Sequence, residues 1–273
     1  GQFLLEAVCV HLGEEHFLAA MAVDDEHLAG QLFQWDASAV KTLCIHTNGK
    51  TLTDPSYRIV IVNNKGTLNI MGGGAIEANT MDNRGILYSN GACSINVYGT
   101  TLKNTATKNN EAYGNAVLCS YGQDAVMNCW GAKLIGNDLS PVLLNNGTMN
   151  LYNCTVTGVP AQVGNYCDRT DDKAVLNLHD TTISGVNVLD GIGVTATGAT
   201  KIGSLNMAEG TSFSASDLTA DASIAGYPTK AMLVDAAGKT VFAQDVSAEW
   251  ATGKYQYIRL FGDAELALDG QEI

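Results

Sequence analysis

One recurrence constrains this chain more than anything else in it. Six segments share the pattern apolar, Asn, apolar: GTLNIMGGGAIEAN (66–79), CSINVYGTTLKN (93–104), AVMNCWGAKLIGN (125–137), GTMNLYNCTVTG (147–158), AVLNLHDTTISG (174–185) and GSLNMAEGTSFS (203–214). Aligning the amides places Asn69, Asn96, Asn128, Asn150, Asn177 and Asn206 in one column at uneven intervals. A fixed strand core with variable spacing suits a solenoid whose turns carry insertions, not a helical-hairpin repeat of constant period. Around each Asn the pattern alternates with period two, so Leu68 and Ile70, Ile95 and Val97, Met127 and Cys129, Met149 and Leu151, Leu176 and Leu178, and Leu205 and Met207 are expected to point inward.

A second apolar position follows each core, at Ile76, Leu102, Leu134, Val156, Ile183 and Phe213, and reads as a second strand. A third apolar run, as in GILYSNG (85–91), NAVLCSYG (115–122) and PVLLNNG (141–147), closes on a turn signal before the next repeat. Three short strands per coil, stacked coil on coil, make a parallel β-helix. VKTLCIHTNGKTLT (40–53) supplies one more coil, with Cys44 in the amide column.

Composition agrees with an ordered solenoid and removes several functions. The 273 residues are 46% hydrophobic and 16% charged, enough to bury a sizeable core. A net charge of -13 with only 15 Lys+Arg argues against a surface that tracks phosphates, so no nucleic-acid partner is expected. No apolar run reaches about eighteen residues, so no membrane span is expected. The seven cysteines, Cys9, Cys44, Cys93, Cys119, Cys129, Cys154 and Cys167, have no zinc-like spacing. Cys129 and Cys154 occupy apolar repeat positions, where cysteine acts as a small core hydrophobe.

KTLCIHTNGKTLT, IVNNKGTLNIMGGGAIEAN and NNGTMNLYNCTVTG resemble the right-handed parallel β-helix domains of the pectin-lyase-like superfamily, in the form common in large bacterial surface proteins. The resemblance spans roughly residues 40–215 and implies a right-handed coil and an extracellular or cell-surface location. Strand-and-turn motifs specify a fold better than an activity. The expected organisation is an N-terminal cap (1–39), the β-helix (40–219) and a C-terminal β-rich segment or second cap (220–273). GEEHFLAAMAVDDEHLAGQLFQW (13–35) is compatible with one or two short helices that cover the open end of the coil. The closing DAELALDGQEI echoes DDEHLAGQLF (24–33), as it would in one module of a longer array.

Alternation turns each Asn outward, together with the residue two positions on, giving a trailing column of His46, Met71, Tyr98, Trp130, Tyr152, His179 and Ala208. Stacked amides stabilise coil stacking by bonding one another, and aromatic side chains favour strands and stack on cross-strand neighbours. Aromatic rings beside amides also suit sugars, which offer an apolar CH face and peripheral hydroxyls. The candidate ligand-binding set is therefore Tyr98, Trp130, Tyr152 and His179 with Asn96, Asn128, Asn150 and Asn177. The expected partner is a neutral polysaccharide or a host or cell-wall glycan, bound by a monomeric, non-catalytic binding or adhesion module.

A polysaccharide lyase or glycoside hydrolase is the enzymatic alternative, and a structural spacer the third. Enzymes of the resembled superfamily imply carboxylates or basic groups on the outward face, which here is nearly free of charge. The dense acidic stretch is CDRTDDK (167–173), where Asp168, Asp171 and Asp172 form a solvated loop or a weak calcium site. No other cofactor is expected, and no catalytic residues are assigned: GxSxG, Walker, HExxH and dinucleotide fingerprints are all missing.

Overall fold

The computed structural model describes residues 42–225, except 55–60, 64, 80–84, 90, 109–115, 166–172, 192 and 209–210, together with strand segments at Phe17–Leu18, Gln34–Trp35, Ala231–Asp235, Thr240–Ala243, Tyr255–Phe261, Ala267–Leu268 and Gln271–Glu272. Among these residues every regular element is a strand. Seven successive coils, from Thr42–His46 to Leu205–Met207, each place one strand in each of three sheets, so that strand n pairs in parallel with strand n+3 of the chain. The molecule is a parallel β-helix solenoid.

The first strands of the coils form what we call the ladder sheet: Thr42–His46, Gly66–Met71, Cys93–Tyr98, Val126–Trp130, Thr148–Tyr152, Val175–His179 and Gly193–Gly198, followed by Ser212–Leu218. Its register is direct. Asn69 lies opposite Asn96, Asn96 opposite Asn128, Asn128 opposite Asn150 and Asn150 opposite Asn177. Inward positions from Leu68 to Leu178 are buried, and Ile76, Leu102, Leu134, Val156 and Ile183 meet them from the second sheet in a single core cluster. The third sheet is different. Leu87, Leu118 and Leu143 join that core, while Tyr88, Cys119 and Leu144 pack with Ala116 and Tyr121 into a separate cluster on the opposite face. Strands covered on both faces read as continuous apolar runs, which is why ILY, VLC and VLL do not alternate.

The corner after the ladder sheet explains another column of the sequence. Three positions beyond the ladder residues from Asn69 to Ser214 lie Gly72, Gly99, Gly131, Asn153, Asp180, Gly198 and Asp217, all with positive φ, while the first coil, with Thr47 at that place, takes positive φ one residue later, at Asn48. A left-handed backbone is open to Gly and, among other residues, best tolerated by Asn and Asp. From the second coil onward the sequence supplies one of those three at this place.

Three sequence expectations are corrected. Asn206 is not in the amide column: Leu205–Met207 belongs to the third sheet, where Asn206 lies opposite Asn187. The seventh ladder strand is instead Gly193–Gly198, which puts Thr195 opposite Asn177 and Thr197, not Ala208, opposite His179. Phe213 is correspondingly a ladder-sheet residue, opposite Val194, and not part of the second sheet. The physical reason is that a hydroxyl can end an amide ladder as well as an amide can continue it, so the coil lacks the Asn that marks the others. The helices expected over 13–35 fall mostly outside the described residues. The pairs described there are strands, with Phe17 opposite Leu43 and Gln34 opposite Val62.

At the far end, Tyr255–Phe261 pairs antiparallel with Ser212–Leu218, and Ala231–Asp235 and Thr240–Ala243 continue outward from it. The last ladder strand thereby has its edge paired.

Candidate functional site

The outward face of the ladder sheet carries the candidate residues. Its central column is a directional hydrogen-bond chain. Asn96 Nδ2 donates to Asn69 Oδ1 at 2.9 Å, Asn128 to Asn96 at 2.9 Å, Asn150 to Asn128 at 2.7 Å and Asn177 to Asn150 at 2.7 Å. The chain starts at Cys44 Sγ, which accepts from Asn69 Nδ2 at 3.4 Å, and ends at Thr195 Oγ1, which donates to Asn177 Oδ1. Each half-buried amide thus spends a donor and an acceptor on its neighbours, the stacking role of an Asn ladder.

Beside it runs the ring column. The Tyr98 and Trp130 centroids are 4.7 Å apart with planes at 4°, and those of Trp130 and Tyr152 are 5.6 Å apart at 9°. His179 follows Tyr152 at 6.2 Å but tilts by 59°. Stacking of this kind covers both faces of Trp130 with its neighbours, so the column offers solvent the edges of its rings. Tyr98, Trp130 and Tyr152 are 39%, 36% and 36% exposed. Across the three outward columns of the ladder sheet, from Thr42 to Ser216, there is no Asp, Glu, Lys or Arg. All eight ligand-binding candidates named from the sequence therefore lie in two adjacent columns of one neutral face.

The tilt of His179 has a cause. Its Nε2 lies 3.0 Å from Asp180 Oδ2, and its Nδ1 lies 2.7 Å from Thr197 Oγ1. Asp180 is itself fixed, because Oδ1 accepts from the Ala199 backbone N–H at 2.8 Å. A Cβ at Gly198 would collide with that carboxylate, so the glycine is what lets the next coil approach so closely. Thr197 and Asp180 were absent from the sequence-derived set. The available signal was GVTATG (193–198), whose alternation of Val194 and Ala196 with two threonines marks a ladder strand without an Asn.

The core thiols play no part in this face. Cys129 is fully buried and Cys154 nearly so, and both are free thiols. Burial pushes the Cys129 thiol well above its ordinary value, with Cys154 beside it adding to the effect. Burial also raises Cys154, partly offset by backbone hydrogen bonds involving Ala132, Tyr152 and Gly131. Neither is a thiolate at neutral pH, so neither is an activated nucleophile there. Among the described residues no group of three or more His, Cys, Asp and Glu is placed to hold a metal ion. Asp168, Asp171 and Asp172 lie outside the described residues. Among the described residues no helix is long and apolar enough to cross a membrane.

Fold and face together define a β-helix solenoid with a neutral, aromatic exterior stripe. The chain matches no family model, no curated protein and no solved structure.

Proposed function

We propose that this chain is an extracellular carbohydrate-binding or adhesion module of a bacterial surface protein, wound in the right-handed sense of the pectin-lyase-like superfamily that its motifs resemble. One observation carries the reading: Tyr98, Trp130 and Tyr152 stand in register on an outward face whose three columns hold no Asp, Glu, Lys or Arg. Strands about 4.8 Å apart set the spacing of the rings. A ligand running along the solenoid axis meets ring edges, the indole N–H and two phenol hydroxyls in sequence. An extended, uncharged, polyhydroxylated chain supplies matching hydroxyls and CH groups, whereas an acidic polysaccharide finds no cation on this face to neutralise it.

A second reading, a structural spacer, is favoured by the same stack, because ring pairs that cover one another already stabilise the sheet without a ligand. One experiment separates the two. The purified chain is passed over a panel of neutral and acidic polysaccharides while new chain ends are followed. Retention by a neutral glycan, lost in the Trp130→Ala/Tyr152→Ala double variant, is the expected result. Unaltered retention in that variant would refute the site, and no retention at all would leave the spacer. Chain cleavage lost with Asp171→Asn or Asp172→Asn would replace both readings with a hydrolase or lyase.

A further inference from the structure

The end of the ring column holds an arrangement that binding alone does not use. Asp180 is a carboxylate that faces His179 Nε2 at 3.0 Å, so the proton of the neutral imidazole resides on Nε2. Nδ1 is then an acceptor, and the group 2.7 Å from it is the hydroxyl of Thr197. A hydroxyl donating to an imidazole whose other nitrogen donates to a fixed carboxylate is the relation between nucleophile, base and orienting acid in hydrolases that form acyl intermediates. The other acceptor near Thr197 Oγ1, the Leu178 carbonyl, is more distant at 3.5 Å. Neighbouring hydroxyls are engaged differently: Thr195 donates to the Asn177 amide, while Thr181 and Thr200 donate to backbone carbonyls. The register shifts beside Thr197, where Asp217 is the extra residue with positive φ. A bulge of this kind re-aims the side chains next to it. The His179 and Asp180 side chains are 50% and 43% exposed, so a substrate can reach them.

We propose that Thr197, His179 and Asp180 hydrolyse small acyl esters, with Thr197 Oγ1 as nucleophile, His179 as general base and acid, and Asp180 as the positioning residue. Thr197 Oγ1 attacks the ester carbonyl carbon as its proton passes to His179 Nδ1, and Asp180 stabilises the imidazolium. The tetrahedral adduct collapses, the bond to the alcohol oxygen breaks, and the alcohol leaves with the proton from Nδ1. Water then attacks the acyl-threonine, giving its proton to Nδ1. The bond to Oγ1 breaks, the proton returns to Thr197, and the carboxylic acid departs. The sum is ester plus water to acid plus alcohol, with no other reactant. The Tyr152 ring, beside His179, lines the side on which the alcohol portion would lie. This activity goes beyond the binding role: a module can hold a chain without cutting it and still remove an acyl substituent.

The test uses p-nitrophenyl acetate. Release of nitrophenol is followed continuously, the reaction is quenched with acid, and the tryptic peptide 174–201 is sequenced by mass spectrometry for acetylation. The expected result is acetyl on Thr197 and not on Thr195, with hydrolysis falling by about 10²–10⁴-fold in Thr197→Val and in His179→Gln, the range that a positioned base supplies. Asp180→Asn keeps an oxygen for the Ala199 N–H but cannot hold the same imidazole tautomer, so its rate should fall while its circular dichroism and melting temperature stay those of the parent. Acetyl found only on other residues, or Thr197→Val hydrolysing as fast as the parent, would overturn the proposal.

Discussion

The ladder sheet has two regions that share a core and differ outside it. From Asn69 to Asn177 each coil presents an amide, and in the coils from Tyr98 to His179 a ring stands beside it. In the next two coils the same positions hold Thr195 and Thr197, then Ser214 and Ser216. Spacing changes with chemistry. Successive amides in the first region are separated by 27, 32, 22 and 27 residues, whereas Asn177 and Thr195 are separated by 18. Long coils carry loops and a decorated face; short coils carry hydroxyls. The lesson is that the inner alternation specifies the solenoid, and the outer columns are free to differ from one stretch of coils to the next.

The largest expected effect tests whether the core is continuous beneath both regions. Phe213, fully buried under the hydroxyl coils, should cost about 3–5 kcal/mol on substitution by alanine, comparable to Leu151→Ala under the amide coils. Urea unfolding measures both, and a nearly neutral Phe213→Ala would separate the two regions energetically. Next comes the ladder. Asn128→Leu leaves Asn96 without its donor and Asn150 without its acceptor, and should cost about 1–3 kcal/mol. Asn206→Ala, whose exposed amide only donates to Asn187, should stay within about 0.5 kcal/mol. Equal losses would mean that Asn206 belongs to the ladder after all.

The corner gives a smaller effect. Gly131 has φ of 61° and no atom within 4 Å of where a Cβ would stand, so Gly131→Ala should cost only the backbone term, about 1–2 kcal/mol. Gly131→Asn should cost less, since Asn153 occupies the equivalent place in the next coil. Thermal melts of the two variants rank them, and the reverse order would undo the account of the corner.

The last effect, on pH dependence, leaves stability at neutral pH unchanged. A thiol whose folded pKa is raised remains protonated when the unfolded chain has already lost its proton. The contribution of each thiol to stability should therefore be flat below the ordinary thiol value of 9.0 and fall above it. The fall is about 1.4 kcal/mol per pH unit per thiol until the folded pKa is reached. Cys129 and Cys154 lie under the amide region, while the inward residues of the hydroxyl strands include Ala196 and Ala215. Cys129→Val should flatten the alkaline slope in urea titrations, and an unchanged slope would assign it to other groups.

Much of this architecture is legible in the sequence, and the reasons are specific. The Asn column from 69 to 177 is visible because an amide ladder works only when every member is in register. The inward pairs are visible because a strand has period two, and the left-handed corner because few residues tolerate it. Coil seven is concealed by a coincidence: Leu205-Asn206-Met207 imitates the ladder triplet from the third sheet, while Thr195 ends the ladder without an amide. That slip also hid the partner of His179, since it set Ala208 where Thr197 stands. The edge-out stacking of Tyr98, Trp130 and Tyr152 depends on side-chain rotation, which strand periodicity does not encode.

The register of coil seven is the hinge of the whole account, because it fixes the end of the ladder, the partner of His179 and the extent of the neutral face. Paired cysteine substitutions test it most directly. Oxidation of an Asn177→Cys/Thr195→Cys variant should yield a 177–195 disulfide by peptide mapping, since strands in direct register lie about 4.8 Å apart, within disulfide reach. The Asn177→Cys/Asn206→Cys variant should yield none between the two sites. A 177–206 disulfide with no 177–195 disulfide would contradict the account.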